Sequence, residues 1–250
     1  MPGSPVAGTP ATGSTSVLQE NYFPGFVRDL EKELEPLVRS VLEHPYLLRL
    51  GAGQVRGEEL RRFLTEYNAY CAAFPRLLAA VAANVPDDET RFALVSNLWE
   101  EHGEGDLKRS HRALFGKLLG ATGLADSSQA PVVLPSTQQY VDRLMELCMH
   151  EHFLTGLGAI GPGTEAFTAT EYALILDGMR LTGEFEAEDL EFFAVHLEMD
   201  GDHYREALEA FEEWVDEEDE ADNRELVRRG ALLAVQFEIE FWTGLVDLAT

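Results

Sequence analysis

Residues 192–203 read Phe192-Phe193-Ala194-Val195-His196-Leu197-Glu198-Met199-Asp200-Gly201-Asp202-His203, which places the spacing His-x3-Asp-x2-His inside a helical pattern. At about 100° per residue, positions 196, 200 and 203 fall within about 60° of one another on a helix, so two imidazoles and a carboxylate share one face. Imidazole and carboxylate are donors for a divalent transition metal. With 7 His and 45 Asp plus Glu in 250 residues, a random chain would hold about 0.03 such spacings. The plainer reading, histidines that pair with acids one turn away on an acidic helix, accounts less well for three donors in phase.

The same 3.6-residue periodicity continues outward from this stretch. Phe26, Leu30, Leu34, Leu37, Val38 and Val41 predict a first helix that ends near His44-Pro45. A second is expected from about Gly57 to Asn84, with Pro75 as a kink, and Pro86-Asp87-Asp88-Glu89 opens a third that loosens at Gly103–Asp106 and resumes through Leu118. Further helices are expected at about 136–155, 162–182, 186–215 and 222–248. Nothing alternates with a period of two over strand length, and Val132-Val133-Leu134 sits between prolines. The expected fold is all-α, a single bundle of about seven helices over residues 18–250. Residues 1–17, rich in Gly, Pro, Ser and Thr, form an expected disordered tail. Asp126–Pro135 reads as a surface loop and Glu212–Asp222 as a solvated helix end.

The net charge of −26, from 45 acidic against 19 basic residues, repels nucleic acid and anionic membranes, so neither is an expected partner. Cys71 and Cys148 stand alone, no apolar run is long enough to span a bilayer, and the N-terminus lacks a signal-like segment. A soluble, cytoplasmic protein is expected.

Two more segments carry candidate donors. Asn97-Leu98-Trp99-Glu100-Glu101-His102-Gly103-Glu104-Gly105-Asp106, followed by Ser110-His111, mixes acids and histidines with aromatic residues, although a solvated face would look similar. Glu165 follows the apolar, small-residue run Gly156–Thr164; a carboxylate buried there must be paired, neutral or metal-bound, whereas a helix-start acid is the bland alternative. Oxygen and nitrogen donors from several helices suit dinuclear iron or manganese, and three carboxylates against two divalent ions leave about +1. The paired Glu-x-x-His arrangement of ferritin-like bundles is absent.

The run 97–115 (NLWEEHGEGDLKRSHRALF), a Glu after a Gly-rich segment, and 196–203 (HLEMDGDH) together resemble the haem-oxygenase-like diiron oxidases and oxygenases over roughly residues 20–250. The resemblance implies a haem-oxygenase-like helical bundle that holds two Fe ions with Glu101, His111, Glu165, His196, Asp200 and His203 and takes dioxygen as co-substrate. It implies N-oxygenation or C–C cleavage of a small amine or amino acid in natural-product biosynthesis. A fatty acid, oxidatively decarboxylated in a slot lined by Tyr70, Phe74 and Trp99, is the second substrate. A small-molecule substrate, an external electron donor and a homodimer complete the expected partners. The broader fold also includes thiaminase II and pyrroloquinoline quinone synthase, so a metal-free enzyme in which Cys71 or Cys148 matters is a rival, as is a non-catalytic acidic binding protein. On an unbroken helix Glu100 and Glu104 face His111 within about 20° and Glu101 lies about 80° away, so Glu101 requires a break at Gly103–Gly105. Glu66 is a further candidate, with a surface position the plainer expectation.

Overall fold

The computed structural model describes residues 25–124, 132–215 and 221–249, apart from the side chains of 198–203, 213, 247 and 249. The described residues form ten α-helices and no strand: α1 (Gly25–Leu42), α2 (Pro45–Gly51), α3 (Gly57–Asn84), α4 (Asp88–Glu101), α5 (His111–Ala121), α6 (Pro135–His150), α7 (Phe153–Ile160), α8 (Ala166–Thr182), α9 (Glu191–Val215) and α10 (Ala221–Leu245). This is the expected bundle with three refinements. The short α2 follows His44, whose Nδ1 accepts from the Tyr46 backbone as an N-cap. The third expected helix is divided into α4 and α5, and the fourth into α6 and α7. The expected tail 1–17, most of the 126–135 loop and residues 216–220 of the acidic run lie outside the described residues.

The central helix is α3, whose buried face (Leu60, Phe63, Leu64, Tyr67, Tyr70, Leu77, Leu78, Val81) recurs at three- and four-residue steps. Pro75 lies inside α3 and does not end it. α3 packs against α4, α5, α6 and α7, while α10 covers α1, α6 and α7.

The Gly-rich run of the sequence is a helix-crossing device. A Cβ on Gly158 would lie 2.1 Å from the Val227 carbonyl oxygen, and one on Gly230 would lie 1.9 Å from that of Thr155. Paired glycines therefore let α7 and α10 touch backbone to backbone. Beyond α7, Gly161–Glu165 form a wider π-helical turn. Pro162 has no N–H to give the carbonyl four residues back, and its ring crowds that group, so the helix widens. The Thr164 hydroxyl donates instead to the Ala159 carbonyl at 2.9 Å. That turn sets the start of α8, and with it the direction of Glu165.

Candidate metal centre

Three segments converge in the bundle interior. α4 begins on the Asp87 carboxylate, which accepts from Thr90 N at 2.7 Å, and Pro86 precedes this cap rather than standing in the first turn. The helix ends at Glu101. The chain then turns through Gly103 (φ 69°), Glu104 (φ 54°) and Gly105 (φ 92°), a left-handed path that only glycine takes without cost. α5 starts on the Ser110 cap, whose hydroxyl accepts from Ala113 N at 3.2 Å. His111 is therefore the first residue of α5, aimed back toward the end of α4.

The turn brings Glu101 and His111 together, with His111 Nδ1 2.9 Å from the Glu101 carboxylate. Glu104 points away and is half-exposed, with Arg109 its nearest cation at 3.8 Å. Across from them, one turn into α9, His196 lies with its ring centroid 4.2 Å from that of His111. Its Nδ1 is 2.6 Å from the Phe192 carbonyl, which leaves Nε2 to carry the lone pair. Phe192 and Tyr172 wall the ring at centroid distances of 4.4 and 5.0 Å. Glu101, His111 and His196 are all buried, and each offers a donor atom within 4.8 Å of the others.

These donors border a small cavity lined also by Tyr70, Cys71, Phe74, Thr164, Glu165, Thr168, Tyr172 and Phe192. Glu165 is buried and reaches this cavity from the π-helical turn, outside the three-residue cluster. Of the six residues that the resemblance implied, the structure thus gathers three and brings a fourth to the same space; the side chains of Asp200 and His203 lie outside the described residues. Oxygen and imidazole donors at this spacing fit iron. Cys71 also lines the cavity, but burial pushes its thiol up, and the charges of Glu101 and Glu171 push it further.

Some expectations are corrected here. Trp99 is 56% exposed on the outer face of α4 and lines no slot, although Tyr70 and Phe74 do line the cavity. Glu66 is fully buried rather than superficial: it accepts from Arg62 at 3.1 Å and from the Leu134 backbone at 2.8 Å, and so ties α3 to the start of α6. Neither Glu171 nor Glu238 was a candidate from the sequence, yet both are buried acids close to the centre. Their signal was present: Glu238 stands three and four residues before Phe241 and Trp242, on the apolar face of α10.

Residues 61–239 match the model of a family described as iron-containing redox enzymes. The chain belongs to that family. A curated relative, 4-aminobenzoate synthase from Nitrosomonas europaea, is 30% identical over 71% of this chain and 75% of its own length. Among solved structures, a CADD-like protein of unknown function from Nostoc punctiforme superposes with a TM-score of 0.74 at 17% identity, covering 89% of this chain and 96% of that one. A domain of unknown function with a haem-oxygenase-like fold from Shewanella denitrificans gives 0.67 at 16% identity, covering 88% and 92%. The fold is thus haem-oxygenase-like, and the iron-containing redox family accounts for imidazole and carboxylate donors in its interior. Among the described residues, no helix is long and apolar enough to cross a membrane.

Proposed function

We propose that this chain is a non-haem diiron oxidase or oxygenase that uses dioxygen to oxidise a small, nitrogen-bearing metabolite. The observation that carries this reading is the buried Glu101–His111–His196 cluster, with donor atoms within 4.8 Å of one another in the cavity that Glu165 also reaches. Glu101, His111, Glu165, His196, Asp200 and His203 would hold two iron ions, which when bound supply the electrons and the binding positions that dioxygen chemistry needs. The chain's own residues prepare the place. The Ser110 cap orients His111, the Phe192 carbonyl orients His196, and the Glu101 carboxylate that now accepts from His111 is free to exchange that bond for a metal. Tyr70, Phe74, Tyr172 and Phe192 supply aromatic walls to the cavity.

The relatives named 4-aminobenzoate synthase support a nitrogen-bearing substrate or product. A long alkyl chain is less well served, because Trp99, expected to line its slot, is outside. A thiol enzyme is disfavoured because burial keeps Cys71 protonated, and buried Cys148 lies away from the cavity. The test is anaerobic Fe(II) titration of the full chain followed by oxygen exposure with small amines and amino acids. Two ions per chain and oxygen consumption that depends on an added amine are expected; one ion or none at saturating iron would overturn the diiron assignment.

A further inference from the structure

Beside the metal cavity lies a second, water-sized chamber, lined by Tyr67, Tyr70, Tyr140, Glu171, Tyr172 and Glu238, among others. The two spaces share Tyr70, Thr164, Thr168 and Tyr172 as a common wall. Glu171 comes from α8 and Glu238 from α10, and they are 3% and 5% exposed. No Lys, Arg or His lines the chamber. The Tyr67 hydroxyl donates to Glu171 at 2.5 Å, and the Trp242 indole N–H approaches Glu238 at 3.4 Å.

The two carboxyls line the same small space. Burial holds both carboxyls above their usual range, and for Glu238 the neighbouring Glu171 adds to it. No cationic side chain among the lining residues is there to balance the charge of either carboxylate. A buried, unbalanced charge is costly, and apolar residues would fill the space more cheaply if packing were its purpose. A second observation points the same way. The Tyr70 hydroxyl, on a side chain 8% exposed, borders both chambers and makes no hydrogen bond among the described residues.

We propose that this chamber binds the ammonium group of a small, single-ring primary amine, with Glu171 and Glu238 as its counter-charge, the Tyr70 hydroxyl as a further acceptor and the surrounding tyrosine rings as cation–π walls. An ammonium brings three N–H donors and one positive charge, which match what the chamber lacks. The shared wall would then set the carbon next to nitrogen toward the metal cavity. This inference rests on the amine-directed function proposed above.

Binding of benzylamine and of benzyl alcohol, its neutral counterpart, should be compared by calorimetry on the metal-free full chain at neutral pH. Benzylamine is expected to bind about tenfold or more tightly than the alcohol, since charge-assisted hydrogen bonds are roughly twice as strong as neutral ones. A single Glu171→Gln or Glu238→Gln change leaves one carboxylate and should keep most of the preference. The double change removes the charge and should abolish it while the variant still takes up two iron ions. Tyr70→Phe should weaken benzylamine several-fold and leave the alcohol unchanged. Equal affinities in the wild type, or a preference that survives the double change, would overturn the inference. If the double variant fails to fold, the wild-type comparison and Tyr70→Phe decide the matter alone. Amine discrimination without iron binding would sink the diiron reading and spare the chamber; normal iron binding without discrimination would do the reverse.

Discussion

Replacing Gly103 with Ala tests whether the turn after α4 builds the metal centre. Gly103 has φ 69°, and an added Cβ would lie 2.6 Å from the Ser110 nitrogen and 2.7 Å from the Arg109 carbonyl carbon. Forcing alanine into the left-handed region costs about 1–2 kcal/mol. The clash adds to this, because both neighbours are backbone and cannot rotate away. Restoring ordinary contact needs a displacement on the order of 1 Å, whereas metal–ligand distances tolerate only about 0.2 Å. The displaced segments are the two that carry Glu101 and His111. Loss of iron affinity by about 10–100-fold or more is expected, as for other changes that misorient a ligand. Gly57→Ala is the control: φ is 57°, nothing lies within 4 Å of its Cβ position, and it sits at the start of α3. It should lower the melting temperature by about 2–8 °C, since about 1–2 kcal/mol is spread over a chain of this size, and leave iron binding unchanged. The assay is Fe(II) titration with parallel thermal melts. If Gly103→Ala loads two irons within about threefold of wild-type affinity, the turn does not govern the site and the argument fails.

Among the acids of α4 and its following turn, only Glu101→Ala should lose iron as severely as His111→Ala, with Glu100→Ala and Glu104→Ala near wild type; iron loss at Glu104 would contradict the left-handed turn. In α9, His203→Ala, Asp200→Ala and His196→Ala should each reduce iron stoichiometry with helical circular dichroism unchanged, because alanine is the better helix former. Asp202→Ala should be mild, since position 202 is about 100° from His203, and comparable damage at 202 and 200 would show the ligand phase to be misread. In the metal-free chain, Glu171 and Glu238 bind protons more tightly folded than unfolded, so they favour folding below the ordinary carboxyl pKa of about 4.3 and cost stability as pH rises toward their raised values. Denaturant titrations should therefore show Glu171→Gln/Glu238→Gln gaining on the wild type as pH rises above about 4.3; a pH-independent difference would mean that burial does not raise the pair.

Much of the architecture was readable in the sequence because burial repeats with the helical period. α3 runs from Gly57 to Asn84, the range that its apolar spacing predicts, and the Phe192-Phe193-Ala194-Val195-His196 phase puts His196 inward with the two phenylalanines. Breaks were harder to read. His102–Ser110 looks like a loosened helix, but the backbone there leaves the helical region at three consecutive residues, and a local pattern does not say that Gly103 will turn left-handed. Trp99 and Glu66 illustrate a further limit: an aromatic residue was expected in the lining and is exposed, while an acid expected outside is fully buried.

The amino-acid sequence by itself determined that this chain is helical, acidic and supplied with imidazole and carboxylate donors on particular helix faces, because those properties depend on neighbours three and four residues apart. Which carboxylates meet which imidazoles was decided only by tertiary structure. Periodicity set Glu100 and Glu104 against His111; the turn at Gly103–Gly105 selected Glu101, and contact across α4, α5 and α9 added His196. Likewise Glu171 and Glu238, 67 positions apart in sequence, came to line one small chamber only because α8 and α10 enclose the same space. A donor's identity is local, but its partners and its exposure to water belong to the packed whole.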